Sequence, residues 1–152
     1  MKEIDGDLLK LANDGAFDVI VHGCNCFCTM GAGIAKAIRD VFPAAYEADL
    51  ATDKGSRDKL GTYSSAEVSL DTGTLTVINA YTQFNYRGSG IKADYDAIRN
   101  VFRRIKVDFP GQRIGYPMIG AGLAGGDWPT IKAIIDEELT GMDHTLVVFK
   151  PS

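Results

Sequence analysis

The chain has 152 residues, of which 45% are apolar and 24% charged, and its formal charge at pH 7 is −4. These values are average for a globular protein, so we expect a single domain over residues 1–152. The negative charge argues against a protein that holds nucleic acid by bulk electrostatics. No stretch approaches the roughly 18 apolar residues of a membrane helix and the first five residues do not resemble a signal peptide, so we expect a cytoplasmic protein without a membrane partner.

Short apolar runs alternate with amphipathic stretches along the chain. Strands are predicted to begin at Ile4 and to cover residues 17–21, 61–68, 75–82, 113–118 and 144–149. Helices are predicted over residues 7–12, 33–41, 44–52, 95–107 and 128–139. Strands and helices that alternate at this spacing predict a three-layer α/β domain with a central mixed sheet.

Two glycine-rich loops follow predicted strands and open predicted helices. The first, residues 22–35, reads His-Gly-Cys-Asn-Cys-Phe-Cys-Thr-Met-Gly-Ala-Gly-Ile-Ala, and the second covers residues 119–128. A helix start offers unpaired N–H groups and the positive end of the helix dipole, and glycines let an anion approach the backbone. Because open α/β sheets bind ligands at the carboxyl ends of their strands, both loops are predicted to hold a nucleotide-type ligand by its diphosphate.

Two other nucleotide-binding patterns do not fit the sequence. A dinucleotide fold requires Gly-x-Gly-x-x-Gly directly after its first strand, whereas Gly31 and Gly33 follow the second predicted strand without a third glycine at the required place. The Walker-type Gly-Lys-Ser/Thr sequence is absent.

Four segments, in order, resemble the macrodomain family of ADP-ribose-binding modules over essentially the whole chain. They are Gly-Asp-Leu at residues 6–8, the first loop, the second loop, and the closing strand at 145–149. The chain is most similar to the branch that holds ADP-ribose-1″-phosphate phosphatases and terminal ADP-ribose protein glycohydrolases. The resemblance implies a three-layer α/β/α macrodomain, ADP-ribose as ligand, and hydrolysis at the distal ribose without a cofactor or metal. An ADP-ribosylated protein is a further partner that it allows.

The resemblance also assigns residues to the ligand. Asp7 would accept a hydrogen bond from the adenine amino group, Phe149 would lie against adenine, and Asn25 would face the distal ribose. The two loops would wrap the diphosphate from both sides. The full set of ligand-binding residues that it implies is Asp7, Leu8, Asn25, Met30, Gly31, Ala32, Gly33, Ile34, Ile119, Gly120, Ala121, Gly122, Leu123, Ala124, Gly125 and Phe149.

The sequence departs from the glycohydrolase branch at two positions. That branch has a lysine at the end of the middle strand, where this chain reads Thr82-Gln83-Phe84, and an aspartate after the leucine of the second loop, where this chain has Ala124. We therefore expect hydrolysis of ADP-ribose-1″-phosphate to ADP-ribose. The alternatives are a reader that binds ADP-ribose without turnover and a hydrolase of O-acetyl-ADP-ribose or ADP-ribosylated protein.

Two residues are candidate catalysts. His22 matches a histidine proposed to act in the phosphatase branch, and as a general acid or base it would suit the chemistry; a buried histidine bonded to the backbone is the alternative. Asp94 is the nearest acid after residues 85–90, a segment that could reach over the distal ribose, but it is also a good helix cap, as are Asp7 and Asp127.

The remaining candidates carry weaker signals. Cys24, Cys26 and Cys28 lie too close together for a usual zinc site, and small buried thiols are the better interpretation. Arg87 and Lys92 lie in a loop that could meet a terminal phosphate. His144 lies far from both loops along the chain, so we expect it to be structural.

Overall fold

The computed structural model of the protein describes residues 1–86 and 90–150. Within these residues the strands are β1 (Lys2–Gly6), β2 (Val19–Cys24), β3 (Tyr63–Leu70), β4 (Gly73–Tyr81), β5 (Ile114–Tyr116) and β6 (His144–Phe149). The α-helices are α1 (Leu8–Asn13), α2 (Gly33–Val41), α3 (Pro43–Leu50), α4 (Tyr95–Asp108) and α5 (Trp128–Glu138). A short 3-10 helix, Arg57–Lys59, precedes β3.

The strands form one mixed sheet in the order β1-β6-β5-β2-β4-β3. Neighbouring strands are parallel except for β3, which pairs antiparallel with β4. The central strand β2 begins Val19-Ile20-Val21, and all three side chains are buried. A strand covered on both faces reads as such a continuous apolar run, because each face must exclude water.

Helices cover both faces of the sheet. Val19 and Val21 of β2 pack on one face in a cluster with apolar residues of α4 and α5. Ile20 points the other way and packs with residues of α1, α2 and α3. Each cluster buries the apolar stripe of its helices. The predicted three-layer α/β domain with a mixed sheet is therefore confirmed.

Element boundaries differ from the predicted ones where they matter for the site. Strand β2 continues to Cys24, so His22 and Cys24 belong to the strand, on the same face as Ile20. Strand β5 ends at Tyr116 rather than at residue 118, because Pro117 has no N–H to donate to a neighbouring strand. No helix in the two described ranges is both long and apolar enough to cross a membrane.

Candidate functional site

Two adjoining cavities lie at the carboxyl ends of the parallel strands. The larger, about 560 Å³, has the two glycine-rich loops as its walls, and we call it the glycine-loop cavity. The smaller, about 510 Å³, lies against the start of α1 and the end of β6, and we call it the Asp7 cavity. Ile34 and Pro117 line both, so the two cavities adjoin at these residues, and we call the two together the groove.

The beginning of α2 forms one wall of the glycine-loop cavity. The predicted residues Gly31, Ala32, Gly33 and Ile34 all line it. Ala32 is the N-cap of α2 and makes no side-chain capping bond, whereas aspartates cap α1, α4 and α5. The N–H groups of the first turn of α2 therefore remain available to an anion, at the positive end of the helix dipole.

The second loop forms the facing wall. Its residues in contact with the cavity are Ile119, Gly120, Gly122, Leu123 and Ala124. The loop is closed by a hydrogen bond from the N–H of Gly126 to the carbonyl of Gly120 at 2.7 Å. Gly120 has a φ of +75°, in the left-handed region that glycine adopts without strain.

The two walls approach each other at Leu123 and Gly33. The Leu123 side chain is 78% exposed, and its Cδ1 lies 3.7 Å from the place that a Cβ on Gly33 would occupy. Gly33 itself has a φ of +58°. An apolar side chain of the second loop thus lies beside the first residue of α2, at the mouth of the cavity.

The Asp7 cavity has a polar and an apolar side. Asp7 caps α1 by accepting hydrogen bonds from the N–H groups of Leu9 at 3.0 Å and Lys10 at 3.2 Å. It lines the cavity with Leu8 and Phe149, and the Phe149 ring is largely exposed. The predicted capping and ligand-facing positions of Asp7 therefore coincide, and an exposed ring offers a flat apolar surface to a planar group.

Asn25 lines the glycine-loop cavity but also organises its own loop. Its Nδ2 donates to the Thr29 hydroxyl at 2.7 Å, and its Oδ1 accepts from the N–H of Phe27 at 2.8 Å. Thr29 lines the same cavity. Asn25 therefore presents a side chain whose orientation is already fixed by the loop.

Three predicted ligand residues line neither cavity. Met30 is fully buried in the core between the sheet and helices α1 to α3. Ala121 packs against the core on the opposite face. Gly125 has a φ of +71° and serves the turn of the second loop. Their assignment as ligand contacts stays a prediction, because the walls of the two cavities do not include them.

The ring of His22 is fully buried and bonded to Asn79 of β4. Asn79 Nδ2 donates to the Ala45 carbonyl at 2.9 Å and to the Ser64 hydroxyl at 3.0 Å, so Asn79 Oδ1 is an acceptor. His22 Nε2 lies 2.7 Å from that oxygen and therefore carries the proton. The unprotonated Nδ1 lies 3.6 Å from the Cys24 thiol, which can donate to it.

This position does not fit direct proton transfer from His22 to a ligand. The residue lines neither cavity, and burial lowers its pKa to about 4, so the ring is neutral at pH 7. His22 adjoins the first loop in sequence, and its catalytic role stays a prediction. The His22 ring is bonded to Asn79 of the neighbouring strand β4, and Asn79 in turn is bonded to the Ala45 carbonyl of α3.

Asp94 also lies outside both cavities. Its carboxylate accepts from the N–H of Ala97 at 2.9 Å, and its own N–H donates to the Thr82 carbonyl at 2.8 Å. These bonds cap α4 and attach its start to the end of β4. The predicted capping role is confirmed, and the predicted catalytic role has no support in this position.

The groove has wall residues that the sequence analysis did not select. They are Gly23, Cys24, Thr29, Ala35, Gln83, Tyr86, Pro117 and Met118 around the glycine-loop cavity. Those at 23–24, 83–86 and 117–118 come directly after or at the ends of β2, β4 and β5. The rule that ligands bind at the carboxyl ends of parallel strands could have identified these three groups.

A polar cluster lies beneath the first loop. The buried Lys59 ammonium donates to the Cys26 carbonyl at 3.1 Å and lies 4.5 Å from the centre of the Tyr81 ring. The Tyr81 hydroxyl donates to Asp49 at 2.7 Å. Burial raises the pKa of the Cys24 and Cys26 thiols, which keeps both protonated. The buried, uncrosslinked state of the three cysteines agrees with the expectation from sequence.

The chemistry available to the glycine-loop cavity is mainly hydrogen bonding. Among the described residues its walls contain no aspartate, glutamate, histidine, lysine or arginine. No group of three or more histidine, cysteine, aspartate or glutamate side chains in residues 1–86 and 90–150 is arranged to hold a metal ion. Arg87, predicted to meet a terminal phosphate, lies outside the described residues.

The chain is similar along its length to a viral protein and over a short segment to an enzyme. An uncharacterized 17.5 kDa protein from the tk–vs intergenic region of Enterobacteria phage T4 is 36% identical over 157 residues, which cover 99% of this chain and 97% of that protein. An ADP-ribose 1″-phosphate phosphatase of Aspergillus oryzae is 52% identical over 46 residues, 30% of this chain and 21% of that protein. No protein-family model matches.

Solved structures share the fold. The macrodomain of Mycobacterium tuberculosis DarG superposes with a TM-score of 0.74 at 20% identity, covering 99% of this chain and 97% of that chain. The Trypanosoma brucei macrodomain in complex with ADP-ribose superposes with a TM-score of 0.63 at 19% identity, covering 97% of this chain and 62% of that chain.

Proposed function

Because the chain belongs to the macrodomain family, we propose that its groove binds ADP-ribose and that the protein hydrolyses ADP-ribose-1″-phosphate. The observation that carries the binding proposal is that the two cavities adjoin at Ile34, beside the start of α2, which no side chain caps. A diphosphate with a nucleoside on one side and a ribose on the other matches a groove with an anion site between two cavities.

The ligand has one orientation that suits the groove. Adenine would lie in the Asp7 cavity, with its amino group donating to the Asp7 carboxylate and its ring against Phe149. The diphosphate would accept hydrogen bonds from the N–H groups at the start of α2 and from the second loop. The distal ribose would then reach the end of the glycine-loop cavity formed by Asn25 and Gln83.

The proposed reaction is hydrolysis of the phosphate monoester on the distal ribose. Water adds to phosphorus, the bond from phosphorus to the ribose oxygen breaks, and the products are ADP-ribose and inorganic phosphate. The segment that is 52% identical to the Aspergillus oryzae phosphatase supports this reaction. Positioning and N–H electrostatics supply most of the catalysis in phosphoryl transfer, so a cavity rich in backbone donors is compatible with it.

A second candidate function is a reader that binds ADP-ribose without turnover. It is favoured by the walls of the glycine-loop cavity, whose described residues include no acid, histidine or lysine to act in proton transfer. The chain has no lysine in Thr82-Gln83-Phe84, where the glycohydrolase branch has one, and it has Ala124 in place of the aspartate of that branch; Gln83 and Ala124 both line this cavity. Lysine-dependent removal of ADP-ribose from protein is therefore not proposed.

Calorimetric titration with ADP-ribose, joined to a phosphate-release assay on ADP-ribose-1″-phosphate, separates the two candidates. Micromolar binding with release supports the phosphatase, and binding without release supports the reader. Release from O-acetyl-ADP-ribose alone would support a deacylase. Absence of binding would refute the proposal for the groove.

A matched pair of variants locates the binding. Gly33→Asp places a carboxylate at the proposed diphosphate site, whereas Gly111→Asp places one in open space at a glycine with a similar positive φ. We expect Gly33→Asp to weaken ADP-ribose binding at least 30-fold and Gly111→Asp to leave it within twofold. Equal effects would show that the ligand lies elsewhere.

A further inference from the structure

An exposed arginine is held against an aromatic cluster beside the groove. The guanidinium carbon of Arg57 lies 3.8 Å from the centre of the Phe84 ring. Phe84 contacts Phe27 edge to face, with ring centres 5.0 Å apart, and the centre of the Tyr86 ring lies 6.4 Å from that of Phe27. We call these four residues the Arg57 platform. Stacking on a ring fixes a guanidinium at a lower entropic cost than an unsupported side chain would incur.

The platform borders one particular end of the groove. Phe84 lies in the chain between Gln83 and Tyr86, which both line the glycine-loop cavity and not the Asp7 cavity. The platform is thus next to the end of the glycine-loop cavity formed by Gln83 and Tyr86, which are not part of the Asp7 cavity. In the proposed binding orientation this end receives the distal ribose and whatever group that ribose carries.

Arg57 differs from most arginines of the described chain in its partners. Arg99, Arg103, Arg104 and Arg113 each form an ion pair with a carboxylate. Arg57 forms neither a hydrogen bond nor an ion pair through its guanidinium within residues 1–86 and 90–150. Its N–H edge is therefore available, and the fork of N–H donors suits a phosphate better than a point charge does.

We propose that Arg57 binds the anionic group on the distal ribose, a terminal phosphate monoester, and so determines specificity for the phosphorylated ligand over ADP-ribose. This inference rests on the proposed binding of ADP-ribose in the groove. The Phe84 ring stacks on the guanidinium and acts as a positioning residue. The glycine-loop cavity offers no cation among its described wall residues, so a cation on the adjacent platform supplies the missing counter-charge.

The test compares the affinity for two ligands across four proteins. ADP-ribose and ADP-ribose-1″-phosphate are titrated into the wild type, Arg57→Gln, Phe84→Leu and the control Arg39→Gln. Arg39 is a matched control because it also stacks on a ring, that of Tyr46, at 5.0 Å. Calorimetry gives Kd where the phosphorylated ligand is stable, and initial rates give KM where it is hydrolysed.

We expect Arg57→Gln to weaken binding of the phosphorylated ligand about tenfold and that of ADP-ribose less than twofold. Phe84→Leu also lowers the affinity for the phosphorylated ligand relative to that for ADP-ribose, by a smaller factor. Arg39→Gln leaves both affinities unchanged. The preference of the wild type for the phosphorylated ligand decreases as salt increases, because the contact is exposed to solvent.

Three outcomes would overturn the inference about Arg57. They are a wild type without preference for the phosphorylated ligand, an Arg57→Gln variant that weakens both ligands equally, and a preference lost in Arg87→Gln but retained in Arg57→Gln. Each leaves ADP-ribose binding, and hence the proposed function, intact. If the wild type binds neither ligand, the proposed function fails and this inference fails with it.

Discussion

The ammonium group of Lys59 donates a hydrogen bond to the backbone carbonyl of Cys26 at 3.1 Å, from beneath the first glycine-rich loop. It also lies 3.6 Å from the Cys28 thiol, in the same loop. The Cys26 carbonyl accepts a second hydrogen bond from the N–H of Gly55 at 2.7 Å. A buried lysine on the 3-10 helix therefore fixes the backbone position of the first loop, and the end of that loop begins α2.

Replacing Lys59 with methionine tests this support. Lys59→Met keeps the apolar stem and removes the donor, so the Cys26 carbonyl loses one of its two hydrogen bonds and buried Asp49 loses a compensating cation. We expect the free energy of unfolding to fall by about 1–3 kcal/mol. ADP-ribose binding weakens about five- to tenfold, measured by calorimetry, because the loop is less well ordered.

The control for this change is Lys54→Met in the preceding turn, where the lysine is exposed. We expect both its stability and its affinity to match the wild type. Unchanged ADP-ribose affinity in Lys59→Met would mean that Gly55 and the remaining bonds are enough to hold the loop.

The buried imidazole of His22 predicts a dependence of stability on pH. Its pKa is lowered by burial to about 4 in the folded state, against about 6.5 in an unfolded chain. The unfolded state therefore binds more protons between these values, and stability is full above about pH 6.5 and lost as the pH falls toward 4. The loss from this one group between pH 7 and pH 4 is about 3 kcal/mol.

Urea unfolding of the wild type and of His22→Gln at several pH values between 4 and 7 measures this effect. We expect a flatter profile in the variant. His144→Gln flattens the profile less. Burial also lowers the pKa of His144, but the nearby carboxylates of Asp136 and Asp143 oppose that effect by raising it. Burial raises the pKa of the Asp49 carboxyl, so this group makes the protein more stable as the pH falls, opposite to His22. The quantity to compare is therefore the difference in unfolding free energy between His22→Gln and the wild type at each pH. Parallel wild-type and His22→Gln profiles would contradict the buried, neutral state of the ring.

The alternation of elements and the two loops were predictable because each follows from local sequence. Val19-Ile20-Val21 is apolar enough to be recognised as a central strand, and Asp7, Asp94 and Asp127 cap the helices that follow them. These features depend on a few neighbouring residues. The chain therefore reveals them without any knowledge of the tertiary fold.

The orientation of side chains at the strand ends was not predictable from the same signals. The sheet is covered on both faces, so period-two alternation cannot say which face receives His22. Nor does the sequence show that Lys59, in a polar segment, is buried against the Tyr81 ring. Both placements depend on the packing of α3 and the 3-10 helix, which are distant from β2 along the chain.

Asp94 provides a test between capping and catalysis. Asp94→Ala removes the acceptor for the Ala97 N–H, and we expect a loss of about 1 kcal/mol in unfolding free energy. Asp94→Asn retains a side-chain oxygen and should recover most of it. Phosphate release or ADP-ribose binding per folded molecule should be unchanged in both variants.

Asp127→Ala is the matched control for Asp94, because Asp127 caps α5 through the Thr130 N–H at 3.1 Å. We expect a similar loss of stability from it. A stable Asp94→Asn protein that no longer releases phosphate, with Asp127→Asn still active, would restore Asp94 as a catalytic residue.

The second loop is expected to tolerate a methyl group at Gly122 and not at Gly126. A Cβ on Gly126 would lie 2.6 Å from the Gly120 carbonyl oxygen, which is backbone and cannot rotate away, and 2.9 Å from Ile131. We expect Gly126→Ala to lower the free energy of unfolding by about 1–3 kcal/mol and to weaken ADP-ribose binding at least tenfold, because the wall must move. Gly122 has open space around its Cβ position, so Gly122→Ala should unfold within about 0.5 kcal/mol of the wild type. Urea denaturation and calorimetry on both variants measure these effects, and equal stability of the two would contradict the tight closure of the loop at Gly120.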